Sequence, residues 1–475
     1  MFHLPRSLKF NSHMIVITCR KCQIHVITFK YMFKKQRRGN EKMGIFIFLT
    51  AVVVEISFAL FCIITKSNQH KVRNIIRIVA FIIFALFTAL QIIDWSFRYY
   101  TLAALLLLLA VMGAVALIRK KEEKKAYKAV GVVIKAMGMT VLIFTLTIPA
   151  IIFPQYKAMK VTGEYKVGTA AYTYTDKNRV ETYTDTGENR KLNVKLWYPE
   201  NADGIYPLIV FSHGSLGIKS SNESLYNELA SQGYFVCSID HTYQCFYTTD
   251  EDGHATFIDM GYMKELLAED AKSDKQQSYE CYQVWMKIRT DDINFVLDYI
   301  LAEAERNDGD RVYKLVDKAK IGVMGHSLGG SAALGIGRMR DDVSAVIALE
   351  SPFMCDIKGV ENGEFIFIDE IYPVPVLNVY SDSSWSHLGQ WAQYAENYAL
   401  LANTNTRAFN VHIKGVGHLT LTDLALTSPF LTRILNGHKS TTDTEYCLNV
   451  INKVCLEFYD CYLKGRGDFA SGDTY

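Results

Sequence analysis

The sequence predicts an α/β domain, a mostly parallel sheet flanked by helices, behind an N-terminal bundle of about four transmembrane helices. Three observations lead there. From about residue 160 to residue 475, short apolar strands alternate with amphipathic helices, the pattern of a mostly parallel sheet. Within that part, Gly325-His326-Ser327-Leu328-Gly329 sits between a buried-strand pattern and a helix pattern. Ahead of residue 155, four apolar runs are long enough to cross a bilayer, which takes about 20 residues. Hydrophobic residues make up 49% of the chain at a net charge of +2, and almost all of the apolar excess lies before residue 155.

The expected spans are 43–65, 75–93, 101–118 and 130–153, the third marked by five consecutive leucines from Leu105 to Leu109. A cleavable signal peptide fits poorly, because three further spans follow. Basic residues set the orientation. Lys66, Lys71, Arg73 and Arg77 lie between spans one and two, and Arg119, Lys120, Lys121, Lys124, Lys125 and Lys128 between three and four. The middle loop carries only Arg98, opposed by Asp94. Loops one and three therefore belong in the cytoplasm, and an even number of spans puts the 160–475 domain outside a cell membrane that the chain crosses several times. Lys30, Lys34, Lys35, Arg37, Arg38 and Lys42 argue the other way. Residues 1–42 show neither periodicity nor caps, so we expect translation to start at Met43, with 1–42 an untranslated extension. AGG codons at Arg37 and Arg38, a ribosome-binding site in a bacterial gene, support this; other arginine codons leave a basic juxtamembrane tail. Glu55, mid-span, is a candidate relay or transport group, or pairs with another span, or stays protonated. Lys135 is close enough to a span end to snorkel.

The pentapeptide carries the chemistry. A strand at 320–324 turning sharply into a helix from Gly330 to Met339 holds Ser327 exposed and strained, as a nucleophile elbow does. Serine needs a histidine to take its proton and a carboxylate to orient that histidine. His418 follows the strand pattern around Val411, between Gly417 and Leu419, and is the expected base. His412 lies inside the strand, and His387 and His438 lie in loops without a preceding strand. Glu350 and Asp382 both end apolar strands, where parallel sheets place their chemistry, and either can be the acid. Asp356 is a weaker third. The strand from Leu208 ends in Ser212-His213-Gly214-Ser215-Leu216-Gly217, a turn whose backbone N–H groups can hold an oxyanion together with Leu328 N–H. Ser215 is the expected donor and Leu216 the alternative, with His213 bracing the loop.

The segments 206–217, 229–236, Ile239-Asp240-His241 and 325–330, with the entry strand 191–199, resemble the platelet-activating factor acetylhydrolase family, secreted type and bacterial relatives, of the α/β-hydrolase superfamily. The resemblance covers about 165–465. It implies an α/β-hydrolase fold, an acid at the end of the strand after the nucleophile helix, and no metal or organic cofactor. In that family the strand ends Leu-Asp; here it ends Leu349-Glu350, which favours Glu350 over Asp382. It further implies serine hydrolysis of carboxylic esters of short-acyl or phospholipid type, with a small-molecule or lipid ester as substrate. The residues alone leave thioesters, aryl esters and peptides open, and the apolar spans, not the resemblance, put the domain beside a bilayer.

The stretch 279–304 reads as one helix with Val284, Ile288, Phe295 and Tyr299 on a face. The acidic segment 248–277 interrupts the strand pattern, as a lid over the site or as a surface excursion. Cys19 and Cys22 have zinc-like spacing without a second pair, and the seven cysteines of the 160–475 domain suggest no metal site; outside the cell one or two disulfides are open to them. No glycine-rich phosphate loop and no basic patch with interleaved aromatics points to nucleic acid. The sequence leaves the oligomeric state open. The rival class is a membrane sensor or transport protein whose hydrolase-like domain only binds a ligand; the full Ser, His and acid set argues against it.

Overall fold

The computed structural model describes residues 42–119, 127–402 and 407–475. The readings on residues 1–41, including Cys19, Cys22, Arg37 and Arg38, lie outside the described residues, as does the basic run from Lys120 to Lys125. The chain divides into two compact units, Met1–Tyr156 and Lys157–Tyr475.

The first unit contains four helices: α1 (Met43–Ile64), α2 (His70–Ala89), α3 (Phe97–Ile118) and α4 (Ala129–Ile152). Each is long and apolar enough to cross a membrane. Small residues let these helix backbones close up at two contacts. A Cβ on Gly44 of α1 would meet the Ala150 carbonyl oxygen of α4 at 2.4 Å, and one on Gly113 of α3 would meet the Asn74 carbonyl oxygen of α2 at 2.9 Å. Helix α2 departs from the expected 75–93. It takes in Lys71, Arg73 and Arg77, and it stops before Gln91, whose φ is 55°. Hydropathy excludes charged residues from a span, yet Lys and Arg are good helix formers whose stems lie along apolar surface.

In the second unit one eight-stranded sheet has the order β1-β2-β4-β3-β7-β8-β11-β12. Its strands are β1 (Val167–Val180), β2 (Asn189–Pro199), β3 (Tyr206–Ser212), β4 (Phe235–Asp240), β7 (Val316–His326), β8 (Val343–Leu349), β11 (Val376–Tyr380) and β12 (Ala408–His412). β1 pairs antiparallel with β2, and β2 with β4; every pairing from β4 to β12 is parallel. Two hairpins stand apart, β5 (Tyr247–Thr249) with β6 (Ala255–Phe257), and β9 (Ile357–Glu361) with β10 (Glu364–Phe367). The helices are α5 (Glu223–Ser231), α6 (Met260–Ala268), α7 (Lys275–Glu305), α8 (Leu328–Met339), α9 (Asp382–Trp385), α10 (Ala395–Ala402), α11 (Leu424–Thr427), α12 (Pro429–Leu435) and α13 (Thr444–Tyr462).

Strand alternation splits the core in two. In β3, Leu208 and Val210 join the cluster of α7 and α8, while Ile209 and Phe211 join that of α5 and α13. This mostly parallel sheet with helices on both faces is the fold class the sequence predicts. Helix α7 is longer than the expected 279–304, with Asp274 capping it through the Gln277 N–H. Its buried face runs through Tyr282, Trp285, Arg289, Ile293, Val296 and Ile300, whereas Val284 of the expected face is 54% exposed. The 248–277 segment holds most of the β5–β6 hairpin and all of α6, and Phe246 at its base donates its N–H to the Gly217 carbonyl (3.1 Å). All seven cysteines of this unit are free thiols.

Candidate active site

β7 ends where Ser327 starts α8, and Ser327 holds φ 54° and ψ −127°. A non-glycine residue there stores about 1–3 kcal/mol of strain and persists only where its surroundings dictate it. Its N–H is fixed on the Leu349 carbonyl (2.8 Å). The flanking glycines are dictated by close approach. A Cβ on Gly325 would meet the Gly329 carbonyl oxygen at 2.4 Å, and one on Gly329 would meet the Ser212 carbonyl oxygen at 2.1 Å. Ser327 itself is half-buried.

β12 runs out at His412, and His418 opens a single 3-10 turn, His418–Leu421. Its backbone is held from three sides. His418 N–H donates to Ser383 Oγ (3.0 Å), the His418 carbonyl accepts from His326 Nε2 (3.2 Å), and Leu419 N–H donates to Asn436 Oδ1 (2.9 Å). The two histidine rings lie 4.6 Å apart. Burial, and then the neighbouring His418, push His326 down to about 3, so it is neutral and donates from Nε2.

Glu350 follows β8, is 1% exposed and has φ 53°. Its Oε2 lies 3.8 Å from His418 Nδ1 and accepts from Ser381 N–H (3.1 Å), while Oε1 accepts from Ser381 Oγ (2.8 Å). Burial alone would raise this carboxyl; His418 and Ser381 outweigh it and hold it below the ordinary glutamate value. Asp382 goes elsewhere. Its Oδ1 is 2.8 Å from His412 Nε2, its Oδ2 accepts from Gly415 N–H (2.8 Å), and its side chain is 46% exposed. Asp356 is clasped by Arg338 at 2.7 Å. The His412 ring stacks on Trp385, that of His387 on Trp391, and His438 is exposed. The structure thus brings His418 and Glu350 together, and pairs Asp382 with a different histidine. Among the described residues no hydrogen bond joins Ser327 Oγ to His418; such bonds often tighten only when substrate is bound.

β3 leads into the turn Gly214–Gly217, closed by Gly217 N–H on the Gly214 carbonyl (3.1 Å). Leu216, at φ 60°, takes the left-handed value of the third position in a type II turn. The turn lies against the elbow, since a Cβ on Gly214 would meet Ser327 Cβ at 3.1 Å. His213 Nδ1 also donates to the Gly214 carbonyl (2.6 Å), and its Nε2 accepts from His241 N–H (3.3 Å). Burial, then Arg289, push His213 well below its ordinary value, so this neutral tautomer persists. In a trans peptide N–H and C=O point in opposite directions. Clamping the Gly214 carbonyl therefore aims the Ser215 N–H. The N–H groups of Ser215, Leu216 and Leu328 have no acceptor among the described residues.

Behind the turn lies a network that sequence reading missed. His241 Nε2 is 2.8 Å from Ser212 Oγ, and its Nδ1 is 2.9 Å from Asp292 Oδ2. Asp292 also binds Arg190 (2.6 Å) and Arg179 (2.9 Å). Arg289 donates to the His213 carbonyl and to Gln244 Oε1 (2.8 Å). Ser212, His241 and Asp292 have the connectivity of a triad but are 0% exposed, so they brace the turn without meeting substrate. His241 stood in a visible motif, but nothing local to Asp292, inside a long helix, marks its partners. Possible cation ligands cluster at His213, Asp240 and Cys245, and at Asp250, Asp252 and His254. In the first group both His213 nitrogens are already engaged, and Asp240 accepts from Thr248 Oγ (2.6 Å) and binds Lys219.

Residues 164–475 match the family described as platelet-activating factor acetylhydrolase, isoform II, and residues 28–158 match a family of unknown function. A platelet-activating factor acetylhydrolase of Gallus gallus is 24% identical over 293 residues, which are 57% of this chain and 65% of that protein. The counterpart in Canis lupus familiaris is 24% identical over 295 residues, 57% of this chain and 60% of that protein. The chain thus spans somewhat less than two-thirds of the length of these relatives. A ferulic acid esterase from Streptomyces cinnamoneus superposes with a TM-score of 0.51 at 21% identity, covering 66% of this chain and 94% of that one, and so shares the fold. With its mostly parallel sheet, its elbow at Ser327 and the match over 164–475, the chain belongs to the platelet-activating factor acetylhydrolase isoform II family of α/β-hydrolases.

Proposed function

We propose that the protein is a membrane-anchored serine hydrolase that cleaves carboxylic esters of short-acyl or phospholipid type, with its catalytic domain outside the cell. The observation that carries the reading is the buried Glu350 carboxylate beside His418, next to a strained, half-buried Ser327.

Ser327 Oγ attacks the ester carbonyl carbon while His418 takes its proton. Glu350 stabilises the imidazolium that forms and holds the ring's orientation. The carbonyl oxygen becomes an oxyanion, held by the N–H groups of Ser215 and Leu328, with Leu216 the alternative to Ser215. His418 returns the proton to the departing alkoxide, leaving an acyl group on Ser327. Water, deprotonated by His418, attacks that acyl carbon, and the carboxylic acid leaves as Ser327 recovers its proton. Every proton and electron pair is carried by these side chains, the substrate and water.

A fluorophosphonate probe tests the reading on the full chain in detergent. Wild type should label at one site and Ser327→Ala should not, while retaining its circular dichroism spectrum and losing at least about three orders of magnitude of ester hydrolysis. Absence of labelling in folded wild type would point instead to a domain that only binds a ligand.

A further inference from the structure

Helices that cross a membrane ordinarily meet through apolar and small side chains. Here the four-helix bundle encloses a small cavity to which all four helices contribute: Glu55 of α1, Arg73 and Arg77 of α2, Leu109 of α3 and Met139 of α4, with Val54 at its edge. Arg73 lies over the Phe58 ring at 4.8 Å. Glu55 is within Coulombic reach of both arginines, but among the described residues no ion pair joins it to either. Helix α2 starts at His70, so Arg77 sits about two turns inside it. Glu55 is in the middle of α1. With Glu55 ionised, the cavity carries one net positive charge, and with Glu55 protonated it carries two. Unbalanced charge at that depth is costly until a counter-ion enters.

We propose that this cavity binds the carboxylate head of a long-chain fatty acid. Guanidinium presents a planar fork of donors that matches the two oxygens of a carboxylate. One negative charge neutralises the site with Glu55 ionised. The space is small, which suits a flat head substituted on one side better than a phosphodiester substituted on two. Val54 both lines the cavity and is 38% exposed on the outer helix surface, where the acyl chain would run. A carboxylic acid is also the product class of ester hydrolysis; only this link to the second unit rests on the proposed function, and the binding itself does not.

The test uses the full chain in nanodiscs of ether-linked zwitterionic lipid, with oleate binding read by native mass spectrometry. Wild type should take up one oleate and no methyl oleate. Arg77→Gln should weaken oleate by about tenfold or more, the worth of one charge-assisted hydrogen bond. Arg77→Lys should fall between the two, and Glu55→Gln should bind more tightly. Hydrolysis of a soluble ester should be equal in all four proteins, which reports that the variants are folded. Equal binding of oleate and methyl oleate, or equal oleate affinity in wild type and Arg77→Gln, would overturn the proposal. So would displacement of oleate by an equal amount of phosphatidylglycerol, which would assign the cavity to a phosphodiester headgroup. Oleate binding in a chain that hydrolyses no ester would sink the esterase reading and leave the site standing.

Discussion

Replacing Glu350 by Gln removes one charge and almost no volume, so it isolates what the buried carboxylate does. Glu350 Oε2 is 3.8 Å from His418 Nδ1. At an effective dielectric of about 20, that separation gives about 4 kcal/mol of attraction between carboxylate and imidazolium. The attraction exists only once His418 has taken the Ser327 proton, so its loss falls on the transition state, about three orders of magnitude in rate. The amide adds a second fault, because its NH2 can face Nδ1 and favour the wrong ring tautomer. Glu350→Gln should therefore lower kcat on a short-chain p-nitrophenyl ester by about a thousandfold to ten-thousandfold, with KM changed by only a few-fold. Asp382→Asn is the matched control. Asp382 is 46% exposed and holds His412 and Gly415, so its loss loosens the approach to His418 without touching the ring. It should cost less than about tenfold, in line with the small worth of exposed ion pairs. If Asp382→Asn proves the more damaging, or if Glu350→Gln keeps activity within tenfold of wild type, the acid has been misassigned.

His213→Phe keeps an aromatic ring, one ring atom larger, but frees the Gly214 carbonyl, so kcat should fall by about tenfold or more, with a parallel loss of preference for an oxoester over its thionoester. Unchanged kcat and preference would refute the peptide-plane argument. Asp423, buried while accepting from Ser224 N–H (2.7 Å), is pushed up to about 7 by burial against that hydrogen bond. A carboxyl whose folded pKa lies above its unfolded value of about 3.9 stabilises the fold below that value and loses this contribution as pH rises toward 7. The Tm of Asp423→Asn relative to wild type should therefore climb from pH 5 to pH 8, and parallel Tm curves would refute this. For the proposed topology, protease added to intact protoplasts should remove the hydrolase domain, and full protection would reverse the orientation.

The elbow was legible because its requirements are local. Gly325, Gly329 and Gly330 sit where a Cβ would strike backbone or Ser351 Oγ, and such demands leave a spaced-glycine signature. His418 is the base expected from chain order and from the strand ahead of it, and the structure sets it beside Glu350. Residue pattern alone leaves Glu350 and Asp382 open, because both end neighbouring parallel strands, β8 and β11; the resemblance favours Glu350, and the sequence does not show that His412 pairs with Asp382. Ser381 and Ser383 flank Asp382 like ordinary loop serines, yet one holds Glu350 and the other holds the His418 backbone. Asp292 and Arg289 were hidden for another reason. A buried charge is visible only through its partners, and theirs are Arg190, His241, Gln244 and the His213 carbonyl, far apart in sequence.

Those hidden residues bear on one of three strained positions that no pattern exposes. Leu216, Ser327 and Glu350 all carry positive φ without being glycine, and they follow β3, β7 and β8, three consecutive strands of the sheet. Strain of about 1–3 kcal/mol at each would relax unless backbone polar groups had fixed partners. Each has them: the Gly214 carbonyl on His213, Ser327 N–H on the Leu349 carbonyl, and Glu350 N–H on the Val379 carbonyl (2.7 Å). The last two are contacts between the ends of neighbouring interior strands and come with the strand order. The first depends on a neutral histidine, and His213 stays neutral because it is buried and Arg289 lies beside it. Asp292 reaches the same turn through His241, whose ring it holds and whose N–H meets His213. Substitutions at Arg289 or Asp292 should then act on the oxyanion turn first, although neither side chain can touch a substrate.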